Sequence, residues 1–458
     1  MKVGKIKSGF ISNDIRFNAG YFLNEDAINS RIVESNSSKC RQLFELAEVW
    51  NPPIFKRQFC ANSERAVPYF QSSDVTNALE GSDVFINKKQ AYKVGSIVEK
   101  DQILVTGFGT IGNTRLVNEL SHGSSLANNV CRIKANENVP IGYVYAFMTS
   151  KYGKSQLNKN ASGSVVRYIE SPGIKKTLIP ILPEETQQKI HNLITDAAQL
   201  RVEANKLLKE AVEIFEKEIE KFVQTDILYK RNNTYSVPIN ILKNHNNRLD
   251  ASYNSLWFDL FYNKLKTANV NLISIKDLSL RVFTPTIFKR VRTNNPDIGV
   301  PFLSGSDLLN AMPKFENFLS KRMANIDNYI LKDGWLAIQD AGTIGYVTYV
   351  HKFLDGVSAT NNLIRIIPNS SQNFNPYIFT FFKSKVGQKI LSNFEFGSVQ
   401  KHIDNHQISS LLIPIFDNIL KNISDLVLSS MEKFGNACDK EKTAIDLIEK
   451  EIDQWQQL

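Results

Sequence analysis

The chain has 458 residues, 42% of them hydrophobic, and a formal net charge of +9. That length gives two or three domains with real cores, and the absence of any apolar run of about 18 residues excludes a membrane span. The basic balance favours a polyanionic partner, and MKVGKIKSGFISND at the N-terminus lacks a signal peptide's apolar run, so the expected compartment is cytoplasmic.

The four cysteines, Cys40, Cys60, Cys131 and Cys438, form no CxxC pair and read as reduced thiols. His402 and His406 stand four apart with no acidic or cysteine partner at metal-ligand spacing, so no metal is expected.

In chain order, the first notable stretch is VWNPPIFKR, Val49 to Arg57. Asn-Pro-Pro followed by an aromatic residue is how amino-methyltransferases hold a flipped adenine. Here Ile54 occupies the aromatic position. Short β-branched and aromatic runs follow (AVPYF, GSIV, QILVTG, TRLV, NVCRIK), separated by Gly, Asn, Asp and Ser, and predict a small, mostly β body. Within it GFGTIG, Gly107 to Gly112, spells GxGxxG. A dinucleotide or S-adenosylmethionine site needs that motif to open a helix, whereas NTRLVN, with Arg115, alternates like a strand. The motif therefore predicts a tight strand-to-strand turn with glycines at positive φ.

IGYVYAFMTSKYGKSQLNKN then predicts one helical stretch, with Tyr143, Phe147 and Tyr152 near helical spacing as core. The polar loop ASGSVVRYI offers Ser164, Arg167 and Tyr168, two donors and a planar ring suited to phosphate contact and groove reading. From Glu184 to about Val223 there is neither Pro nor Gly. Ile190, Ala197, Ala204 and Ala211 form one seam line and Leu193, Leu200, Leu207 and Ile214 the other, with Ile194, Leu208 and Phe215 widening it. About 40 residues make a rod of roughly 60 Å.

The chain then repeats itself. VFTPTIFKR, Val282 to Arg290, lies over VWNPPIFKR at an offset of 233, the step from Arg57 to Arg290. The same offset carries Gly109 of GTIG to Gly342, and SLANNVCRI from Ser125 to SATNNLIRI from Ser358. After one insertion SKYG from Ser150 meets SKVG from Ser384, and SGSVVRYI meets FGSVQKHI from Phe396. Upstream, RFNAGY from Arg16 meets RLDASY from Arg248. Such order marks an internal duplication.

The second copy supplies Thr284 and Thr286 for Asn51 and Pro53, and Asp340 for Gly107, so neither enzyme-like motif survives duplication. What recurs is Ile-Phe-Lys-Arg, and a second donor loop with Ser398, Gln400, Lys401 and His402. Candidate DNA-contacting residues are thus Lys56, Arg57, Arg115, Ser164, Arg167, Tyr168, Lys289, Arg290, Ser398, Gln400, Lys401 and His402. A second rod runs from about Phe416 to Leu458, with Ile419, Ile423, Leu447 and Ile448 among its seam residues and a kink or break expected at Gly435-Asn436. Antiparallel pairing of the two rods would hold the two bodies apart like a caliper.

The expected fold class is α+β: two small, mostly β domains at 1–182 and 226–415, each followed by a long helix, at 183–225 and 416–458. The whole resembles the specificity (S) subunits of type I restriction-modification systems. The resemblance rests on the GTIG turns, the GS loops before RYI and KHI, RLDASY, and LIPILPEETQQKI at the first helix start. The second helix start, LIPIFDNILKNI, lacks the Glu-Gln portion. The resemblance implies a chain without chemistry of its own. Each domain would be a target-recognition domain that reads one half of a split double-stranded DNA target, and the helices would set the gap and dock two modification subunits. Those subunits bind S-adenosylmethionine and methylate adenine N6, and a motor-nuclease subunit using ATP and Mg joins them to restrict. The chain itself would hold no cofactor and meet no membrane. Alternatives are a specificity chain of a fused restriction-methylation enzyme, a self-sufficient adenine methyltransferase, and a coiled-coil scaffold.

Overall fold

The computed structural model describes residues 23–77, 79, 81–162, 167–224, 253–254 and 256–456. RFNAGY, all of RLDASY but Tyr253, and Ser164 lie outside them. Two compact units emerge: one runs up to Val202 and takes in Ala437–Leu458, the other spans Glu203–Asn436.

Among the described residues, the first unit has α1 (Glu25–Ser35) and the strands β1 (Cys40–Gln42), β2 (Ala47–Trp50), β3 (Phe59–Cys60), β4 (Ala66–Phe70), β5 (Phe85–Asn87), β6 (Ile103–Thr106), β7 (Thr114–Leu116), β8 (Ser125–Leu126), β9 (Val130–Ala135) and β10 (Leu178–Pro180). β2, β9, β6 and β7 form an antiparallel sheet in that order. A second sheet runs β3-β5-β4-β8, with β8 parallel to β4, and β1 pairs with β10.

Strand β6 shows how the sequence builds two cores at once. Its side chains alternate faces. Ile103 and Val105 join a core with Val49, Ile133, Tyr143 and Phe147, while Leu104 turns to one with Phe70, Val98 and Leu126. The second unit repeats the device, sending Leu336 and Ile338 one way and Ala337 the other.

The stretch expected as one helix is two: α2 (Ile141–Thr149) and α3 (Lys151–Lys159). Ser150 between them donates its hydroxyl to Phe147 O at 2.6 Å and accepts from Gly153 N, capping α3 as it closes α2. A Cβ at position 153 would stand 2.2 Å from Phe147 O, so only glycine fits the elbow. This explains why SKYG recurs as SKVG.

α4 (Glu184–Glu220) begins in the first unit and continues into the second. After α5 (Leu256–Thr267) the second unit runs through β11 (Asn271–Ser274), β12 (Ser279–Phe283), β13 (Arg292–Thr293), β14 (Gly299–Leu303), β15 (Phe318–Ser320), β16 (Leu336–Gln339), β17 (Val347–Tyr349), β18 (Ser358–Ala359) and β19 (Leu363–Pro368). Then come α6 (Asn375–Lys383), α7 (Lys385–Phe394), β20 (Leu412–Ile415) and α8 (Asp417–Asp453). Its sheets, β12-β19-β16-β17 and β13-β15-β14-β18, reproduce those of the first unit, and β11 pairs with β20. α6 and α7 meet at the Ser384 elbow, where Gly387 plays the part of Gly153.

The two long helices pair antiparallel. In the second unit Glu203 meets Lys433 at 2.7 Å and Ala204 O accepts from Ser430 Oγ at 2.7 Å. In the first, Asp196 meets Lys440 at 2.9 Å. α8 runs uninterrupted through Gly435-Asn436, against the expected break. A mid-helix glycine costs only about 1 kcal/mol, which tertiary packing offsets.

The seam also differs from its expected lines. Ile190, Ala197, Ala204 and Ala211 are buried. The second line, however, runs through buried Ile194, Arg201 and Phe215 with Leu208 half-buried on it, while Leu193, Leu200, Leu207 and Ile214 are half-buried beside it. On α8 the buried seam includes Ile423, Ala444 and Ile448, with Ile419 and Leu447 half-buried. A count of apolar residues cannot find a line that passes through an arginine. Arg201 Nη2 lies 2.6 Å from Glu441 Oε2, with side chains only 8% and 2% exposed, and Tyr145 donates its hydroxyl to Glu441 at 2.7 Å. Burial favours the neutral acid, yet Arg201, Arg115 and the Tyr145 hydroxyl hold the Glu441 carboxyl below the usual range. Along the long helices, where Glu449 and Glu216 play the same part, the offset is again 233, so Arg201 and Glu441 correspond to Phe434 and Leu208. Tyr145 corresponds to Phe379, and the three form an apolar set in the core of the second unit.

Each unit draws on both long helices. Ala444, Ile448 and Ile452 of α8 complete the core behind α2 and α3. Ala211, Phe215 and Ile219 of α4, each 233 positions earlier, complete the one behind α6 and α7. Lys151 N donates to Glu449 at 2.7 Å, and its repeat mate Lys385 N donates to Glu216 at 2.9 Å. The last half of the helix that ends one copy in sequence therefore serves as docking surface for the other copy, while its first half packs on its own.

Candidate nucleic-acid interface

In the antiparallel order β2-β9-β6-β7, Trp50 lies opposite Arg132, Thr106 opposite Val130, and Val105 opposite Thr114. The loops 51–58, 107–113 and 127–129 thus leave the same end of one sheet. Backbone bonds bring Tyr168 and Ile169 there too, Phe108 bridging to Tyr168 and Ile169 N donating to Gly107 O at 2.8 Å. The GTIG turn closes the β6–β7 hairpin with Gly109 and Gly112 at φ +73° and +79°.

Asn51, the residue that hinted at an adenine site, ties these loops together. Its Nδ2 donates to Asn128 O at 3.1 Å and its Oδ1 accepts from Ser171 N at 2.9 Å. Lys56 and Arg57 are exposed. Arg57 donates to the Tyr69 hydroxyl and stands 5.5 Å from its ring centre. Arg167 is exposed, with its guanidinium on Asn158 O. Tyr168 stacks on Phe108 at 5.5 Å and 15°, forming a partly exposed aromatic ledge.

The second unit repeats the arrangement, with Phe283 opposite Arg365, Gln339 opposite Leu363 and Ile338 opposite Val347. Lys289, Arg290, Ser398, Gln400 and Lys401 are exposed at this end. Arg290 stands 5.1 Å from the Phe302 ring centre, and Lys401 meets Glu395 at 2.7 Å. His402, half-buried, bridges to Ala341 where Tyr168 meets Phe108. Asp340 begins this turn. Burial pushes its carboxyl up to about 6, opposed by the His402 charge, its own backbone amide and Arg365.

Arg115 departs from the exposed set. It is 8% exposed, and its guanidinium donates to Val75 O at 3.3 Å and Thr76 O at 3.1 Å, so its charge serves the chain's own carbonyls. Among the described residues, no group of three or more His, Cys, Asp or Glu side chains is placed to hold a metal ion, and no helix is long and apolar enough to cross a membrane.

Residues 36–213 and 268–417 match the type I restriction modification DNA specificity domain, once per copy. The chain belongs to this family. Among solved structures it is similar to the type I restriction-modification S subunit from M. genitalium, at 13% identity and TM-score 0.34, covering 91% of this chain and 94% of that one. It is also similar to the HsdS subunit from Thermoanaerobacter tengcongensis, at 11% identity and TM-score 0.28, covering 90% and 95%. A third match, at 12% identity and TM-score 0.26, covers 89% and 96% and comes from work on complex assembly and conformational transition of the type I R-M system. No curated protein matches the chain.

This specificity chain also holds residues that pattern reading passed over. Arg132 and Arg365, repeat mates, are fully buried. Arg132 donates to Val130 O, Ser96 O and Leu126 O at 2.9–3.3 Å, and Arg365 to Leu363 O, Thr360 O and Ala359 O at 3.1–3.5 Å. Burial pushes both guanidinium groups down to about 10. Each ties the strand that starts at the candidate end to the segment just before it in the chain. Their coincidence in the repeat was the available signal.

Proposed function

We propose that the chain is the sequence-specific DNA-recognition subunit of a type I restriction-modification complex. Each unit reads one half of a bipartite duplex target through the loops at its sheet end. Partner modification subunits bind S-adenosylmethionine and methylate adenine N6, and motor-nuclease subunits use ATP and Mg to restrict. The chain contributes recognition without catalysis, in the cytoplasm, and the paired helices set the unread gap between half-sites.

The observation that supports this reading is that the specificity domain matches twice, and that both copies gather basic and planar side chains at the same end of the same sheet. Such groups suit phosphate contact and base-edge readout. The test is to map N6-methyladenine in DNA of cells carrying the partner subunits, with and without this chain. The expected result is a split motif with a fixed spacer that vanishes with the chain. Methylation at a continuous motif, or methylation by the purified chain alone, refutes the proposal.

A further inference from the structure

The stretch PIF in each copy leaves an isoleucine almost wholly in water. Ile54 is 87% exposed and its repeat mate Ile287 is 88% exposed. One exposed isoleucine is ordinary on a protein surface. Two at matching positions, each on a loop fixed on both sides, are different.

The anchors are specific. Pro52 and Pro285 are buried before the isoleucines. After them Phe55 packs against the cluster of Val67, Tyr69 and Ile86. Phe288 lies on Tyr329 with ring centres 3.8 Å apart, and Tyr329 donates its hydroxyl to Thr286 O at 3.2 Å. Lys56 O accepts from Gln90 Nε2 at 2.8 Å, and Gln58 N donates to Gln90 Oε1 at 2.9 Å. Arg57 and Arg290 lie over the rings of Tyr69 and Phe302, which are also repeat mates. The chain is therefore held at the residues flanking each isoleucine, while the isoleucine points away from the core. A β-branched side chain has little rotamer freedom to lose on contact.

We propose that Ile54 and Ile287 make the apolar contact of each recognition unit with the bases of its half-site, while the adjoining Lys56-Arg57 and Lys289-Arg290 face phosphates. This inference rests on the proposed DNA-reading role. An apolar point flanked by fixed positive charge complements a nucleic-acid groove, where apolar methyl groups and base steps lie between lines of phosphate. Covering a side chain of this size contributes roughly ten- to hundredfold in affinity.

The test uses the full chain bound to its modification partners and a randomised duplex library. First the sequence selected by the wild type is determined, then those selected by Ile54→Ser and Ile287→Ser. Each variant is expected to bind the wild-type sequence roughly ten- to hundredfold more weakly and to lose base preference in one half of the target only. The slope of log affinity against log salt stays unchanged, because no charge is removed. Lys56→Gln provides the contrast, with base preference kept and the slope shallower by about 0.9. Variants that select the same sequence with the same affinity overturn the inference. So do variants that keep DNA preference but lose their protein partners, since the isoleucines would then be protein-docking points. A wild-type complex that selects no sequence overturns the underlying DNA reading instead.

Discussion

Replacing Glu441 by Leu removes the carboxylate that Arg201 meets at 2.6 Å in a site where the two side chains are 8% and 2% exposed. The Tyr145 hydroxyl, which donates to the same carboxylate, loses its acceptor as well. Breaking a buried pair from one side costs about 3–5 kcal/mol, because the remaining charge stays desolvated. The triple variant Tyr145→Phe, Arg201→Phe and Glu441→Leu removes the charges from both sides and installs the residue types at the matching positions Phe379, Phe434 and Leu208. Replacing a whole buried ionic group by packed apolar side chains is commonly neutral, or stabilising by about 1–4 kcal/mol. Equilibrium urea unfolding of the single and triple variants measures both effects. A single variant that costs less than about 1 kcal/mol refutes the buried-charge argument, and so does a triple variant as unstable as the single.

Arg132→Met and Arg365→Met should each cost about 3 kcal/mol by the same measurement, since each removes three buried hydrogen bonds from a guanidinium to backbone carbonyls. Asp340 sets a pH dependence. Its carboxyl titrates near 6 in the folded chain, above its unfolded value, so its contribution is fully present below about pH 4 and is lost as pH rises through 6. Asp340→Asn, which mimics the neutral acid, should match the wild type in thermal stability near pH 4 and exceed it above pH 6. Gly153→Ala and Gly387→Ala place a methyl 2.2 Å and 2.0 Å from a carbonyl oxygen and should sharply lower the yield of folded protein, read as soluble expression and melting temperature.

The duplication, the β bodies and the long helices were legible because they are written in periodicity and repetition. The GTIG turn was legible because two glycines at hairpin spacing have a known conformational use. Other features were hidden for identifiable reasons. Arg201 sits on a seam line but is charged, so apolar counting drew that line through Leu193 and Leu200, one position away. The Ser150 elbow lies inside a stretch whose helical spacing continues on both sides, and only the Phe147 carbonyl beside Gly153 reveals the bend. Arg115 looked available for DNA because a strand sequence does not show that Val75 O and Thr76 O wait opposite it. At the candidate interface, the basic loops could be read from composition, but their convergence depends on Asn51, whose partners lie 77 and 120 residues away.

The exchanged helices bear on how such a chain arose. Glu216 serves the body that follows it and Glu449 the body that precedes its own segment by a whole copy. A half-length ancestor would have had to borrow this helix from a second, identical molecule. In such a twin the contact between the places of Arg201 and Leu208 would occur twice, with the same two residue types each time. In one chain the two contacts are free to differ, and a single ionic pair, Arg201 with Glu441, stands at one while apolar Phe434 and Leu208 occupy the matching places of the other.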